Sequence, residues 1–253
     1  MSGLTSIIIP TYNGLHLLRT CVEHIRAYTN VPYEIIVVDN GSRDGTAAYC
    51  IREKLLLVSL PDNAGFPIAC NRGLRIASGD NLLLLNNDCF ASPRWLSYML
   101  DALYSREDIG IVGPVTNYAS GIQQVKVGYS DLAGFIREAE SWNVPDPAKW
   151  KEVHRIVGLC YLFKRTVMER IGLLDEMYSP GHYEDDDYCY RARLAGFKLL
   201  VAGNVLVHHE GSASFRNRYP GGFQELVERN RKRFVDKWKV DPLQFIEERG
   251  DAS

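Results

Sequence analysis

No stretch of this 253-residue chain approaches the ~18 consecutive apolar residues of a membrane-spanning helix. The N-terminus also lacks the basic segment and apolar core of a secretory signal, so export and membrane insertion are disfavoured and a cytoplasmic location is expected. Charge of one sign is missing too: the formal net charge is -2, which gives no electrostatic footprint for nucleic acid. No C-x-x-C pair occurs among Cys21, Cys50, Cys70, Cys89, Cys160 and Cys189. Scattered through apolar or helical patterns, the six thiols read as reduced and buried. Internal repeats and low-complexity tracts are absent, and one large domain is the default at this length.

What is present is the balance of a packed protein, 46% hydrophobic and 24% charged. Apolar runs at Thr5 to Ile9, Glu34 to Val38, Leu55 to Leu60 and Asn81 to Leu85 alternate with helical patterns over about 15–28, from Thr46 onward and within 63–77. The first run is expected to stop at Pro10. Strands alternating with helices over short connections imply an α/β fold with a mostly parallel central sheet flanked by helices. In the second half, strands are expected at Gly110 to Val115, Val157 to Lys164, Lys198 to Ala202 and Val205 to Val207. Helical pattern covers 131–141, Thr166 to Ile171, and Tyr183 to Ala195 with Gly196 as a C-cap. A charged helix from about Gln224 to Lys239 follows, its Arg/Lys run read as a solvated face, and 247–253 reads as a frayed tail or the boundary of a longer chain.

Ligands of a parallel α/β sheet bind at the carboxyl ends of the strands. Pro10-Thr11-Tyr12-Asn13, Asp39-Asn40-Gly41-Ser42 and Asn86-Asn87-Asp88 each follow the last apolar residue of a strand. Singly, such clusters are ordinary turn chemistry; three together favour a site. Asp39 can accept hydrogen bonds from a nucleobase imide or a ribose hydroxyl. Asp88, beside two amides, offers hard oxygen ligands to Mg²⁺ or Mn²⁺ and the diphosphate they bridge. Its competing role is a helix N-cap ahead of Ser92-Pro93. Glu184-Asp185-Asp186-Asp187 sets four carboxylates at a helix start, more than the helix dipole requires, and one of them can act as a general base. His208-His209 ends an apolar strand; alternation sends the two rings to opposite sides, so only one can join Asp88 on a metal.

Taken in order, Ser6 to Asn13, Glu34 to Thr46, Asn63-Ala64-Gly65-Phe66 with Asn71-Arg72-Gly73, Leu84 to Asp88, and Tyr183 to Arg193 resemble the signature of family 2 inverting glycosyltransferases with the GT-A fold. The resemblance covers about residues 4 to 215. It implies a single GT-A-type, Rossmann-like catalytic domain over 1–246, with a nucleotide-sugar-binding half (1–115), an acceptor and catalytic half (116–215) and a C-terminal helical segment (216–246). It further implies that Pro10, Thr11, Asn13 and Asp39 contact the nucleoside. Gly65, Asn71 and Asn87 would shape the donor site, Asp88 would bind a divalent metal, and Asp185 would be the catalytic base.

Two departures from the pattern matter. Asn86 stands where the metal motif usually has its first aspartate, which makes His208 or His209 more necessary as a second ligand. The Gln-x-x-Arg-Trp signature of processive members is missing, so polymerisation is not expected. The expected activity is non-processive, inverting transfer, of hexosyl or deoxyhexosyl type, from a nucleoside-diphosphate sugar. The acceptor would be a saccharide or a lipid-linked or protein-linked hydroxyl, in bacterial surface polysaccharide or glycoconjugate synthesis, with peripheral membrane association compatible and no nucleic acid involved. The 116–155 region, Asn117 to Gln124 above all, supplies candidate acceptor contacts. A sugar nucleotidyltransferase would want a Gly-rich basic loop near the N-terminus, where Pro10 to Gly14 has one glycine and no cation. A binding-only relative would have no need of Asp88 and Asp185 together.

Overall fold

The Ile/Val/Leu runs of the first half form β1 (Thr5–Thr11), β2 (Tyr33–Asp39), β3 (Leu56–Ser59) and β4 (Asn81–Leu85), joined by α1 (Leu15–Tyr28), α2 (Thr46–Arg52) and α3 (Phe66–Ile76). Every residue of β1 and β4 is buried, which is why no polar alternation marks them. In this computed structural model, which describes residues 3–211 and 222–247, the four strands pair in parallel in the order β3-β2-β1-β4.

Pro10 does not end β1, which continues to Thr11 with Pro10 opposite Val38. The carbonyl of Thr11 accepts from Asn40 N at 2.8 Å on the β2 side, so the amide position of Pro10 faces the other way. There β4 pairs only Thr5 to Ile8, and the missing N–H breaks no ladder bond.

The sheet is completed by β5 (Cys89–Phe90), β6 (Ile109–Thr116), β7 (Trp150–Val153), β8 (Cys160–Lys164) and β9 (Lys198–His209). From β4 it continues β8-β6-β9-β5, with β7 also on β9. Because β8 is antiparallel to both β4 and β6, and β9 is parallel to β6, strands β1 to β4, β6 and β9 share one direction. Only β5, β7 and β8 oppose it, and the sheet is mostly parallel as expected. Among the described residues the remaining α-helices are α4 (Trp95–Leu103), α5 (Leu132–Trp142), α6 (Arg165–Ile171), α7 (Glu184–Leu194) and α8 (Phe223–Trp238). All six cysteines are buried and unpaired. Among the described residues no helix is long and apolar enough to cross a membrane.

Two local expectations change. The runs at Lys198 and Val205 are one strand, because Ala202 pairs with Pro114 and Leu206 with Val115, so that Gly203 to Val205 bulge between them. Asn204, polar and fully buried in that bulge, accepts from Trp150 Nε1 at 2.8 Å and donates to the Val144 carbonyl at 2.9 Å. Helix α4 adds an element beyond those expected; its buried Trp95, Leu96, Met99, Leu100, Ala102 and Leu103 recur at helical spacing, with Asp101 exposed on the other face.

The Arg/Lys run of α8 is not simply a solvated face. Lys237 Nζ lies 2.6 Å from Asp187 Oδ1 and 2.8 Å from Asp175 Oδ2. Trp238 Nε1 donates to Asp187 at 2.8 Å, and Arg191 pairs with its other oxygen at 2.7 Å. Asp187 has no exposed surface, so it is the electrostatic anchor of α8 on α7. We expect Asp187→Ala, which leaves two cations facing an uncharged hole, to cost about 3 kcal/mol or more. An unshifted urea midpoint would take Asp187 out of the docking of α8.

Candidate active site

The C-terminal ends of β1 and β4, the N-terminal end of β8 and the start of α7 open onto one cavity of about 900 Å³. That volume suits a nucleotide-sized ligand. Pro10, Thr11, Asn13, Gly65, Asn87, Asp88, Asp185 and His209 all reach its wall.

On the side of β1 and β2, turn chemistry knits the wall together. Asn87 Nδ2 donates to Thr11 Oγ1 at 2.8 Å, tying the end of β4 to the end of β1. Asn13, in the left-handed region at φ 48°, accepts from Arg43 N at 2.8 Å through its side chain, while its own N–H bonds Ser42 Oγ at 2.9 Å. Gly65 has φ 98°, and a Cβ there would sit 2.7 Å from Pro180 Cα, so glycine is required where α3 meets the 179–183 loop. Asp39 and Asn71 stand behind the wall rather than in it. Asp39 Oδ1 accepts from Ser42 N at 3.0 Å, and Asn71 is spent on Leu174, donating to its carbonyl at 2.9 Å and accepting from its N–H at 3.0 Å.

The two histidines part company as strand alternation requires. His209 Nε2 lies 3.4 Å from Asp88 Oδ1, with both side chains buried. Its Nδ1 meets the Tyr118 carbonyl at 2.8 Å, and since a carbonyl only accepts, Nδ1 carries a proton in either charge state; Nε2 faces Asp88, donating to it when the ring is charged and offering a lone pair to an ion when the ring is neutral. Burial by itself lowers the pKa of His209, but the hydrogen bond and charge of Asp88 outweigh it and hold the ring above the ordinary imidazole value. His208 instead stacks on Phe90 and bonds Tyr129 Oη at 2.8 Å and Glu210 at 3.1 Å, which occupies both its nitrogens away from Asp88. The structure thus brings His209, and not His208, to the candidate metal position. Cys89 Sγ lies behind the pair, with ligand atoms of all three within 4.8 Å of one another. Burial raises its pKa, and it bonds the Leu159 carbonyl. Asp88 caps no helix, because α4 begins only at Trp95.

A carboxylate and a neutral imidazole nitrogen at this separation are a donor set that fits a divalent ion of the Mg²⁺ or Mn²⁺ class. Proton and ion compete for the same lone pair.

The acidic run divides by role. Its helix starts after Gly181, His182 and Tyr183, all at positive φ, a strained entry held by buried Asn230, whose amide reaches the carbonyls of Tyr178 at 2.6 Å and Gly181 at 2.8 Å. Asp187 anchors α8, and Asp186 Oδ1 pairs with Arg155 Nε at 2.6 Å. Burial pushes the Asp186 carboxyl up to about 7, against the pull of Arg155. Asp185, half-buried, accepts from Gly158 N at 2.7 Å and Asp186 N at 3.0 Å and faces the cavity. Burial, with Asp185 adding to it, drives Glu184 well above the usual carboxylate range.

The sequence did not flag Arg155, Gly158 or Asn230, because one cation, one glycine and one amide outside any motif give no signal. Tyr118 to Ser120, from the segment singled out for acceptor contacts, do reach the wall.

Fold and site together define a glycosyltransferase of the GT-A type. The chain belongs to glycosyl transferase family 2, whose model matches residues 6–172. It is 33% identical to glycosyltransferase AglE of Haloferax volcanii over 81% of this chain and 66% of that protein. It is 28% identical to the O-antigen biosynthesis protein RfbC of Myxococcus xanthus over 85% of this chain but 18% of that one. The chain therefore spans less than the full length of both. A mannosyltransferase of Pyrobaculum calidifontis, solved with GDP-Man and Mn²⁺, superposes with a TM-score of 0.70 at 19% identity, covering 97% of this chain and 68% of its own.

His209→Ala is expected to weaken Mn²⁺ binding, measured by calorimetry, by about 10- to 100-fold, while His208→Ala leaves it near wild type. Equal effects from the two would refute the assignment. Since the free site holds His209 protonated to a higher pH than an ordinary imidazole, Mn²⁺ affinity should be full above that raised pKa and fall as pH drops through it. An affinity independent of pH would contradict the ligand role.

Proposed function

We propose that this chain transfers a sugar from a nucleoside-diphosphate donor to a hydroxyl acceptor in one displacement, with inversion at the anomeric carbon. The observation that carries the reading is the placement of Asp185 and the Asp88–His209 pair on one cavity, spaced by the step from Gly158 to Leu159. Leu159 accepts from Asn86 N at 2.9 Å on the metal side, and Gly158 donates to Asp185 at 2.7 Å on the other.

The nucleoside lies along Pro10, Thr11, Asn13 and Gly65 at the ends of β1 and α3. Asp39 acts there by fixing the Ser42 turn that supports Asn13, and Asn71 by fixing α3 against Leu174. Asn87 holds the end of β4 to Thr11 beneath the diphosphate. A divalent ion, Mg²⁺ or Mn²⁺, held by Asp88 and His209 would offset the charge of the leaving diphosphate. Asp185 takes the proton of the acceptor hydroxyl as its oxygen bonds the anomeric carbon; the bond from that carbon to the diphosphate breaks, and its electron pair leaves with the nucleotide. Arg155 holds Asp186 aside, so that its carboxylate does not compete for the proton. Residues 1–115 thus serve the donor, and 116–215, of which 212–215 lie outside the described residues, serve the acceptor and the chemistry.

The non-processive, hexosyl-type transfer expected from the sequence stands as part of this reading, as does a cytoplasmic site of action, where six unpaired thiols persist. The names of the relatives support a role in surface polysaccharide or glycoconjugate assembly, with a saccharide or a lipid- or protein-linked acceptor at a membrane periphery. Asp185→Asn keeps the shape and removes the base. It should leave donor affinity near wild type while transfer falls by about 10²-fold or more. Near-native transfer, or a product that keeps the donor's anomeric configuration, would overturn the mechanism.

A further inference from the structure

Of the four acids that open α7, three have protein partners for their charge. Asp185 holds two backbone amides, Asp186 holds Arg155, and Asp187 holds Arg191 and Lys237. Glu184 differs: it lines the cavity, only 6% of its surface is exposed, and its Oε2 is buried without a hydrogen-bond partner. A buried polar atom left unpaired costs about 1–3 kcal/mol, and native proteins keep few of them. One that lines a ligand cavity has its missing partner in the ligand.

The surroundings decide what that ligand offers. Arg155 is the cation that acts on Glu184, and it is committed to Asp186 and to Ser120 Oγ, at 2.7 Å. Next to Asp185 and Asp186, a charged Glu184 would add a third negative charge beside a single guanidinium, Arg155, which Asp186 already engages. Burial and these neighbours raise the carboxyl's pKa and so favour its protonated form, which presents one O–H donor and one carbonyl acceptor. A diphosphate, which only accepts and is itself negative, is a poor match. A sugar ring is a good one, because each hydroxyl both donates and accepts. Position agrees: Glu184 and Asp185 line the same cavity.

We propose that Glu184 recognises the transferred sugar of the donor, its carboxyl donating to one ring hydroxyl and accepting from the same or the adjacent one. The proposal rests on the transferase reading and makes Glu184 a specificity residue for the sugar rather than for the nucleotide.

The test compares, by calorimetry with Mn²⁺ present, GDP with GDP-mannose and UDP with UDP-N-acetylglucosamine on the wild type, Glu184→Gln and Glu184→Ala. Failure of the wild type to bind any of the four would refute the transferase reading itself. For the pair that binds, Glu184→Ala should keep the nucleoside diphosphate within about twofold and lose about tenfold for the nucleotide sugar. Glu184→Gln, neutral and both donor and acceptor, should retain most of the sugar-dependent affinity. Equal loss for diphosphate and sugar would place Glu184 on the nucleotide and overturn the proposal, and so would Gln behaving like Ala. If Glu184→Ala does not fold, donors lacking single ring hydroxyls are titrated against the wild type and Glu184→Gln. One deoxy donor should then bind about tenfold more weakly to the wild type, and a flat series would overturn the proposal.

Discussion

Three consecutive residues between Arg155 and β8 hold three walls of the cavity in register. Val157 N donates to Gln123 Oε1 at 2.8 Å, Gly158 N to Asp185 Oδ2 at 2.7 Å, and the Leu159 carbonyl accepts from Asn86 N at 2.9 Å. The first bond fixes the 116–124 segment, the second the start of α7, and the third the loop that carries Asp88. Gly158 is the tight point, since a Cβ there would lie 3.1 Å from Asp185 Cβ. Because β8 runs antiparallel to β4, its first residue meets the last residue of β4, and this strap falls where the catalytic parts must converge. The direction of one strand thereby sets the spacing between base and metal ligands.

Electrostatic cost is spread around the same point. Four acids begin α7, and the structure gives each a different surrounding: helical cations for Asp187, one guanidinium for Asp186, backbone amides for Asp185, and for Glu184 a buried oxygen without a hydrogen-bond partner. A run of identical charge becomes four distinct groups because a helix turns about 100° per residue and so faces each side chain to a different neighbour. The C-terminal helix matters here beyond stability. Its Lys237 and Trp238 occupy Asp187, and its Asn230 holds the strained loop from which α7 starts. The family match ends at residue 172, so this acidic side of the site lies beyond the matched residues and is described by the tertiary structure.

Much of the fold was legible because its signals are local. Four apolar runs closed by turn residues and separated by helical patterns imply parallel strands, and their ends mark where Thr11, Asn13, Gly65 and Asp88 line the cavity. Two elements lie outside what was expected: α4, a short helix of nine residues, and β5, which exists only because β9 pairs with it. The bulge at Gly203 read as a gap between two strands, since a polar residue in mid-strand is stabilised only by partners distant in sequence.

By itself the sequence determined the α/β architecture, the family, and the presence of one aspartate past β4 with an acidic run at a helix start. It also determined that only one of two adjacent histidines could join Asp88, from the period of a strand. Which one was decided by tertiary structure, because the pairing of β9 with β5 sets His209 opposite Cys89, beside Asp88. The structure likewise separated Asp185 from Asp187, moved Asp39 and Asn71 behind the cavity wall, and buried Asn230 in a helix that reads as solvated. In each case the deciding partner lies tens of residues away, and a linear pattern carries periodicity but not which distant residue supplies the hydrogen bond or the charge.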